Sequence, residues 1–196
     1  MEITNFDEFQ YFVNYTNSNG RYLDSANNNR IDSSPFQNCI NLESIVLPPN
    51  IFNIALSFLA NTKISKILIP KSVGLCDVAT FKNCVNLTSI VFEDGGDVPL
   101  YVGGDLWLEN TQVTILVLPF KTYRIRGYWR RGSNLNTLYV KSTIPPILEH
   151  GWGDNPDTCD LYVPIGCKEV YASATNWGSF RTITEYDFDL NPNNVH

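Results

Sequence analysis

The chain repeats itself, and the repeat leaves few folds open to it. Counting from an aromatic residue, Phe36 is followed at six, nine and eleven positions by Leu42, Ile45 and Leu47. Phe58 leads in the same way to Ile64, Ile67 and Ile69, and Phe81 to Leu87, Ile90 and Phe92. Trp107 leads to Val113, Leu116 and Leu118, Trp129 to Leu135, Leu138 and Val140, and Trp152 to Thr158, Leu161 and Val163. The anchors stand 22, 23, 26, 22 and 23 residues apart. Of the 24 template positions 23 are apolar, against about ten expected of a chain that is 43% hydrophobic.

The last two apolar positions of each unit are two residues apart, the spacing that sends both side chains to one face of a β-strand. Pro48, Pro70, Pro119 and Pro164 follow at once in four of the six units. With no N–H and a fixed φ, proline ends a strand and opens a turn. One strand cannot bury its apolar face alone, whereas six stacked units can. The aromatic anchor then fills the interior behind the strands. The expectation is a β-rich solenoid, a right-handed superhelix of about six coils of 22–26 residues, with a parallel sheet on one face and a cap at each end.

The segments Phe36-Gln-Asn-Cys-Ile-Asn-Leu42-Glu-Ser-Ile45-Val-Leu47-Pro48 and Phe81-Lys-Asn-Cys-Val-Asn-Leu87-Thr-Ser-Ile90 resemble the BspA-type leucine-rich repeat of bacterial surface proteins. The units at Trp107, Trp129 and Trp152 keep the apolar template but lack the Asn-Cys pair. Leu161-Tyr-Val-Pro164-Ile-Gly166, with Tyr171 and Trp177-Gly-Ser-Phe180, is similar to the segment that closes such arrays. The resemblance implies an exported, curved solenoid used for adhesion or protein contact, without catalytic residues.

A single domain is expected over residues 1–186, with a cap over 1–30, repeats over 31–164, a second cap over 165–186 and a flexible tail over 187–196. Phe6, Phe9, Tyr11, Phe12 and Val13 read as a short helix or a strand, followed by an Asn-rich, turn-forming stretch from Asn14 to Asn29. Cys167 to Thr175 reads as a short helix with Val170, Tyr171 and Ala174 on one face, and Trp177, Phe180 and Ile183 can cover the last coil.

Function classes narrow by exclusion. A formal charge of −6 argues against nucleic-acid binding through phosphate neutralisation. No apolar run approaches the roughly 20 residues of a membrane span, and no signal peptide is visible at the start. His150 and the terminal His196 are the only histidines, so nucleophilic catalysis has a single candidate base, in a polar turn. Cys39 and Cys84 fall two coils apart, about 9–10 Å by inter-strand spacing and beyond disulfide reach. They read as small buried groups, while a Cys159–Cys167 bond stays open. The long coil carries Glu93, Asp94 and Asp97, which read as a solvated turn or, alternatively, a Ca²⁺ loop. No cofactor or metal is expected.

The expected activity is binding of a protein or other extracellular macromolecule. Residues at offset ten alternate with the buried pair and must face outward: Val46, Leu68, Val91, Val117, Tyr139 and Tyr162. They form the candidate binding row, with Tyr139 and Tyr162 as its expected anchors, rimmed by mostly polar offset-eight residues. Arg124, Arg126 and Arg130, from a basic cluster that also holds Lys121 and Arg131, are expected to orient the partner. The alternatives are a glycan-acting enzyme or glycan-binding module using Glu149–Asp157, and a structural spacer. If no disulfide supports the fold, thermal melting with and without reductant should coincide, and a fall of more than about 10 °C under reductant would reveal a structural bridge.

Overall fold

The structure, a computed structural model, describes residues 3–11 and 34–190. Each coil contributes a strand to a first face. These strands are β1 (Asn5–Phe6), β2 (Ser44–Ile45), β4 (Lys66–Ile69), β6 (Ser89–Phe92), β8 (Ile115–Leu118), β10 (Thr137–Val140), β12 (Asp160–Pro164) and β13 (Thr182–Tyr186). All pair in parallel, in blocks β1–β2, β4–β6 and β8–β10–β12–β13, and the blocks lie side by side. The pairing joins equivalent template positions, Ile67 to Ile90 and Leu116 to Leu138 to Leu161. Those offset-nine side chains are buried, as are Leu47, Ile69, Leu118, Val140 and Val163 at offset eleven.

The prolines do what their chemistry requires. The carbonyls of Pro48, Pro70, Pro119 and Pro164 each accept a bond from the N–H three residues on, at 3.0 Å in every case. After Pro164 the chain enters a short helix, and after Pro48, Pro70 and Pro119 it turns into a second parallel sheet that the periodicity did not announce. Its strands are β3 (Asn53–Ile54), β5 (Leu75–Cys76), β7 (Leu100–Gly103), β9 (Thr122–Arg126) and β11 (Ile147–Leu148). After it each chain segment reaches its aromatic anchor. Phe58, Phe81, Trp107, Trp129 and Trp152 are buried, and Phe36 is half-buried. Ring centroids step along the axis from Phe81 to Trp107 at 5.3 Å, to Trp129 at 6.0 Å and to Trp152 at 5.7 Å. Such edge-on and tilted contacts suit aromatic quadrupoles.

A second column runs beside the rings. Asn38, Asn61, Asn83 and Asn110 all adopt left-handed backbone with φ of 64°, 62°, 58° and 57°. Asparagine tolerates this region better than other side chains apart from glycine. Each Nδ2 donates to the Oδ1 one coil back: Asn61 to Asn38 at 2.7 Å, Asn83 to Asn61 at 2.8 Å and Asn110 to Asn83 at 2.8 Å. Each backbone N–H donates forward, to the carbonyls of Ala60, Lys82, Glu109 and Gly132. In the next coil Gly132 holds the left-handed position, with φ of 66°.

The ends are closed by aromatic groups. Before the first repeat, Phe6 and Phe9 pack on Phe36, using both a strand and a 3-10 turn over Asp7–Tyr11. Phe12, Val13 and the Asn-rich stretch to Asn29 lie outside the described residues. At the other end the helix is shorter than expected, α1 (Lys168–Ser173). Tyr171 is fully buried and donates to Ser142 O at 2.7 Å, but Val170 is exposed, which corrects the expected apolar face. Trp177 stands 4.9 Å from Trp152 and donates its indole N–H to Pro146 O, and β13 adds one more strand to the first face. Residues 187–190 form a turn closed on the Asp187 carboxylate, with Phe188 packed on Tyr139, so this part of the expected tail is folded back.

The asparagine column yields a graded test. Asn83→Ala removes one donor and one acceptor and places alanine at positive φ, which should cost about 3 kcal/mol and lower Tm by roughly 6–12 °C. Asn83→Gly keeps the backbone conformation and should lose about half as much. An Asn83→Gly variant as stable as the parent in differential scanning calorimetry would mean that the column contributes nothing beyond backbone geometry.

Candidate functional site

The offset-ten residues lie on the outward side of the first face, since their neighbours at nine and eleven point into the core. Register places Leu68 opposite Val91, and Val117 beside Tyr139, which in turn pairs with Tyr162. Exposure along the row is uneven. Val46 and Leu68 are open, Leu68 at 49%, and Val91, Val117, Tyr139 and Tyr162 are half-buried. Ile115, an offset-eight residue expected at a mostly polar rim, is itself exposed and apolar. Where β2 and β4 lie side by side the face dips into a hollow of about 300 Å³, lined by Ser44, Val46, Lys66, Leu68, Ser89 and Val91.

The far end of the row is occupied by the chain itself. Tyr139 and Tyr162 stack at 4.5 Å with planes 13° apart, and Tyr186 meets the Tyr139 ring edge-on at 5.1 Å. Phe188 completes the cluster, 5.0 Å from Tyr186. Burial among these rings pushes the Tyr139 phenol pKa up. Tyr186 lies two residues beyond Thr184, the partner of Tyr162, and so shares the outward face of its strand, whereas Phe188 arrives by the turn that follows and carried no signal in the spacing. Beside them Asp160 accepts from Arg181 and Thr182, and the guanidinium holds its carboxyl below the usual range.

The structure does not bring the arginines to this row, which corrects the expectation that they orient its partner. Arg124 and Arg126 belong to β9, on the second sheet, beyond the proline turn. There Arg124 lies over the rings of Tyr101 and Tyr123, at 5.9 and 5.8 Å, and pairs with Glu149, which also faces Arg126 at 3.6 Å. Arg130 is not a surface residue at all, with 2% exposure. It donates to Leu135 O at 2.7 Å, Asn155 O at 3.2 Å and Thr158 Oγ1 at 3.4 Å, tying the fifth coil to the sixth. Thr158, the one polar residue in the apolar template, is exposed, and Cys159 beside it is the buried group in this coil.

The carboxylate-bearing loops are engaged in structural bonds. Glu149 serves the two arginines, and Asp154 accepts from the Gly132 N–H at 2.7 Å. Glu93 accepts from the Lys71 N–H, and Asp94 pairs with Lys141 at 2.7 Å. Among the described residues no group of three or more His, Cys, Asp or Glu side chains converges on a point. His150 is exposed beside Tyr128. The five cysteines are free, and all but Cys39 are buried. Burial pushes the thiols of Cys76, Cys84 and Cys159 up, that of Cys159 to about 11. Cys84 donates to Leu59 O at 3.1 Å, as a small core group would.

Stacked parallel coils, a column of anchors and an outward strand face without a catalytic cluster among the described residues define a leucine-rich-repeat solenoid. The family model for the BspA-type leucine-rich repeat region matches six copies over residues 9–136. The chain belongs to that family. Among solved structures, a leucine-rich repeat protein from Bacteroides ovatus ATCC 8483 is 14% identical, with a TM-score of 0.31 over 78% of this chain and 51% of that one. The chain thus spans about half the length of that protein. No curated protein matches the sequence. Among the described residues no helix is long and apolar enough to cross a membrane.

The two kinds of arginine should separate by mutation. Arg130→Met strands buried carbonyls and should cost about 2–4 kcal/mol in urea unfolding, whereas Arg126→Met should stay within about 0.5 kcal/mol. Similar costs for both would place Arg130 at the surface.

Proposed function

We propose that the chain is a non-enzymatic interaction module, displayed at a cell surface, that holds a protein partner on the outward side of its first face. Membership of a repeat family whose arrays commonly mediate binding supports the class of function. The observation that carries the choice of face is the in-register apolar row, open at Val46, Leu68 and Ile115 and continued by Val91 and Val117. Contiguous exposed apolar surface of this kind marks interaction sites on soluble domains. Serines and a lysine around the hollow at β2 and β4 give it a polar rim. Tyr139 and Tyr162 act here as one wall of the surface, stiffened by Tyr186 and Phe188, and the anchoring contacts fall on Leu68 and its neighbours.

Labelled protein should bind intact cells bearing the partner, and protease treatment of those cells should abolish the signal in flow cytometry. Leu68→Ser with Ile115→Ser should weaken binding by at least about tenfold, because exposed apolar anchors dominate such interfaces. Both sites are exposed, so melting should stay within roughly 2–4 °C of the parent. Unchanged binding by a folded double variant would rule out this face.

A further inference from the structure

The repeat is broken at one place, the corner between the two sheets. Between β6 and β7 the corner runs over residues 93–99, and between β10 and β11 over 141–146. Between them, from β8 to β9, it runs only over 119–121. Two long corners therefore stand as walls on either side of a short one. Asp94 of one wall and Lys141 of the other are joined by an ion pair at 2.7 Å, so the walls are tied across the gap. The first wall is seated firmly: a side chain at Gly96, where φ is 81°, would collide with Lys71 O.

The resulting groove has a volume of about 640 Å³. Its floor presents Phe120, 54% exposed, and the exposed ring of Tyr123, and its walls present Pro99, Pro145 and Ile144, the last 75% exposed. Its charges are unequal. Lys121 is turned under the floor, where its ammonium donates to Lys71 O and to Val73 O at 3.0 Å, and Lys141 is held by Asp94. Asp97 lines the groove, is exposed, and has no hydrogen bond or ion pair from its side chain among the described residues. A groove of aromatic and proline faces whose one unspent charge is a carboxylate complements a cation carried beside apolar groups.

We propose that this groove binds a short extended peptide segment of a partner protein, with Arg or Lys set next to an apolar residue or proline. The cation meets Asp97 and the face of Phe120, and the apolar neighbour packs against Ile144 and Pro145. The groove crosses two coil steps, about 9–10 Å, the length of roughly three residues of extended chain. The site lies at the corner, apart from the first-face row, and does not depend on the function proposed for that row.

The probe is a fluorescein-labelled, end-blocked peptide Gly-Leu-Pro-Arg-Leu-Gly, compared with its counterparts carrying Glu or norleucine in place of Arg, and with free arginine amide. Anisotropy titration of the full chain should show saturable binding of the Arg peptide below about 1 mM and at least about tenfold weaker binding of the Glu peptide. Phe120→Ala should weaken the Arg peptide by at least about tenfold, and Asp97→Asn by about fivefold while leaving the norleucine peptide unchanged. Leu68→Ser should change nothing, which separates this groove from the first-face row. The proposal is overturned by Glu and Arg peptides binding alike, by no saturation up to about 1 mM, or by Phe120→Ala or Asp97→Asn without effect. Arginine amide binding as tightly as the peptide would also overturn it, making the groove a small-cation site.

Discussion

No coil of this molecule has an interior of its own. From Phe81 to Trp152 each aromatic anchor packs on the next, Phe36 packs on Phe58, and each strand finds its hydrogen-bond partners one coil away. Register between coils is therefore the constraint on which everything else depends. A slip of one residue would turn Ile67 and Ile69 outward and bring Leu68 into the core. Two columns oppose such a slip by different means. The rings fill volume and select spacing, while the asparagines bond in a fixed direction and select position. Proline turns add a third control by fixing where four of the first-face strands stop.

That architecture explains why the ends are rich in aromatic residues. A terminal coil exposes one side of its anchor, so something must replace the missing neighbour. Phe9 does so for Phe36, and Trp177 with Phe180 does so for Trp152. The indole N–H of Trp177 reaches Pro146 O and the Tyr171 hydroxyl reaches Ser142 O, so the cap also satisfies backbone carbonyls of the last long corner. The corner that forms one wall of the groove is thus held by the cap.

Regular stacking also creates the surfaces on which function is proposed. Repetition turns one outward residue per coil into a continuous row, and unequal corner lengths turn a smooth edge into a groove. The first is a consequence of period and the second of its violation. Charges follow the same division. Arg130 is spent inside the stack and Arg124 on Glu149, whereas Asp97 stands on a long corner with no ion-pair partner among the described residues.

Much of the fold was legible because it is written in local spacing. The aromatic-to-apolar offsets name the strands, their buried faces and the proline turns, and these follow from two-residue alternation and from proline chemistry alone. The asparagine column was legible too, in Asn38, Asn61, Asn83 and Asn110, but only if their recurrence is read as backbone conformation. The second sheet was not, because pairs as short as Asn53–Ile54 and Leu75–Cys76 carry no period of their own and exist through their neighbours. Nor could spacing tell that Arg130 is interior while Arg126 is exposed, since both lie in one basic run and only the position of Leu135, Asn155 and Thr158 in space separates them. The sequence by itself determined the period and which residues face inward, because strand alternation is a local property. Tertiary structure alone decided which outward groups meet: it laid Tyr186 and Phe188 on Tyr139 and set two long corners around Phe120, because those meetings depend on the rotation from coil to coil and not on distance along the chain.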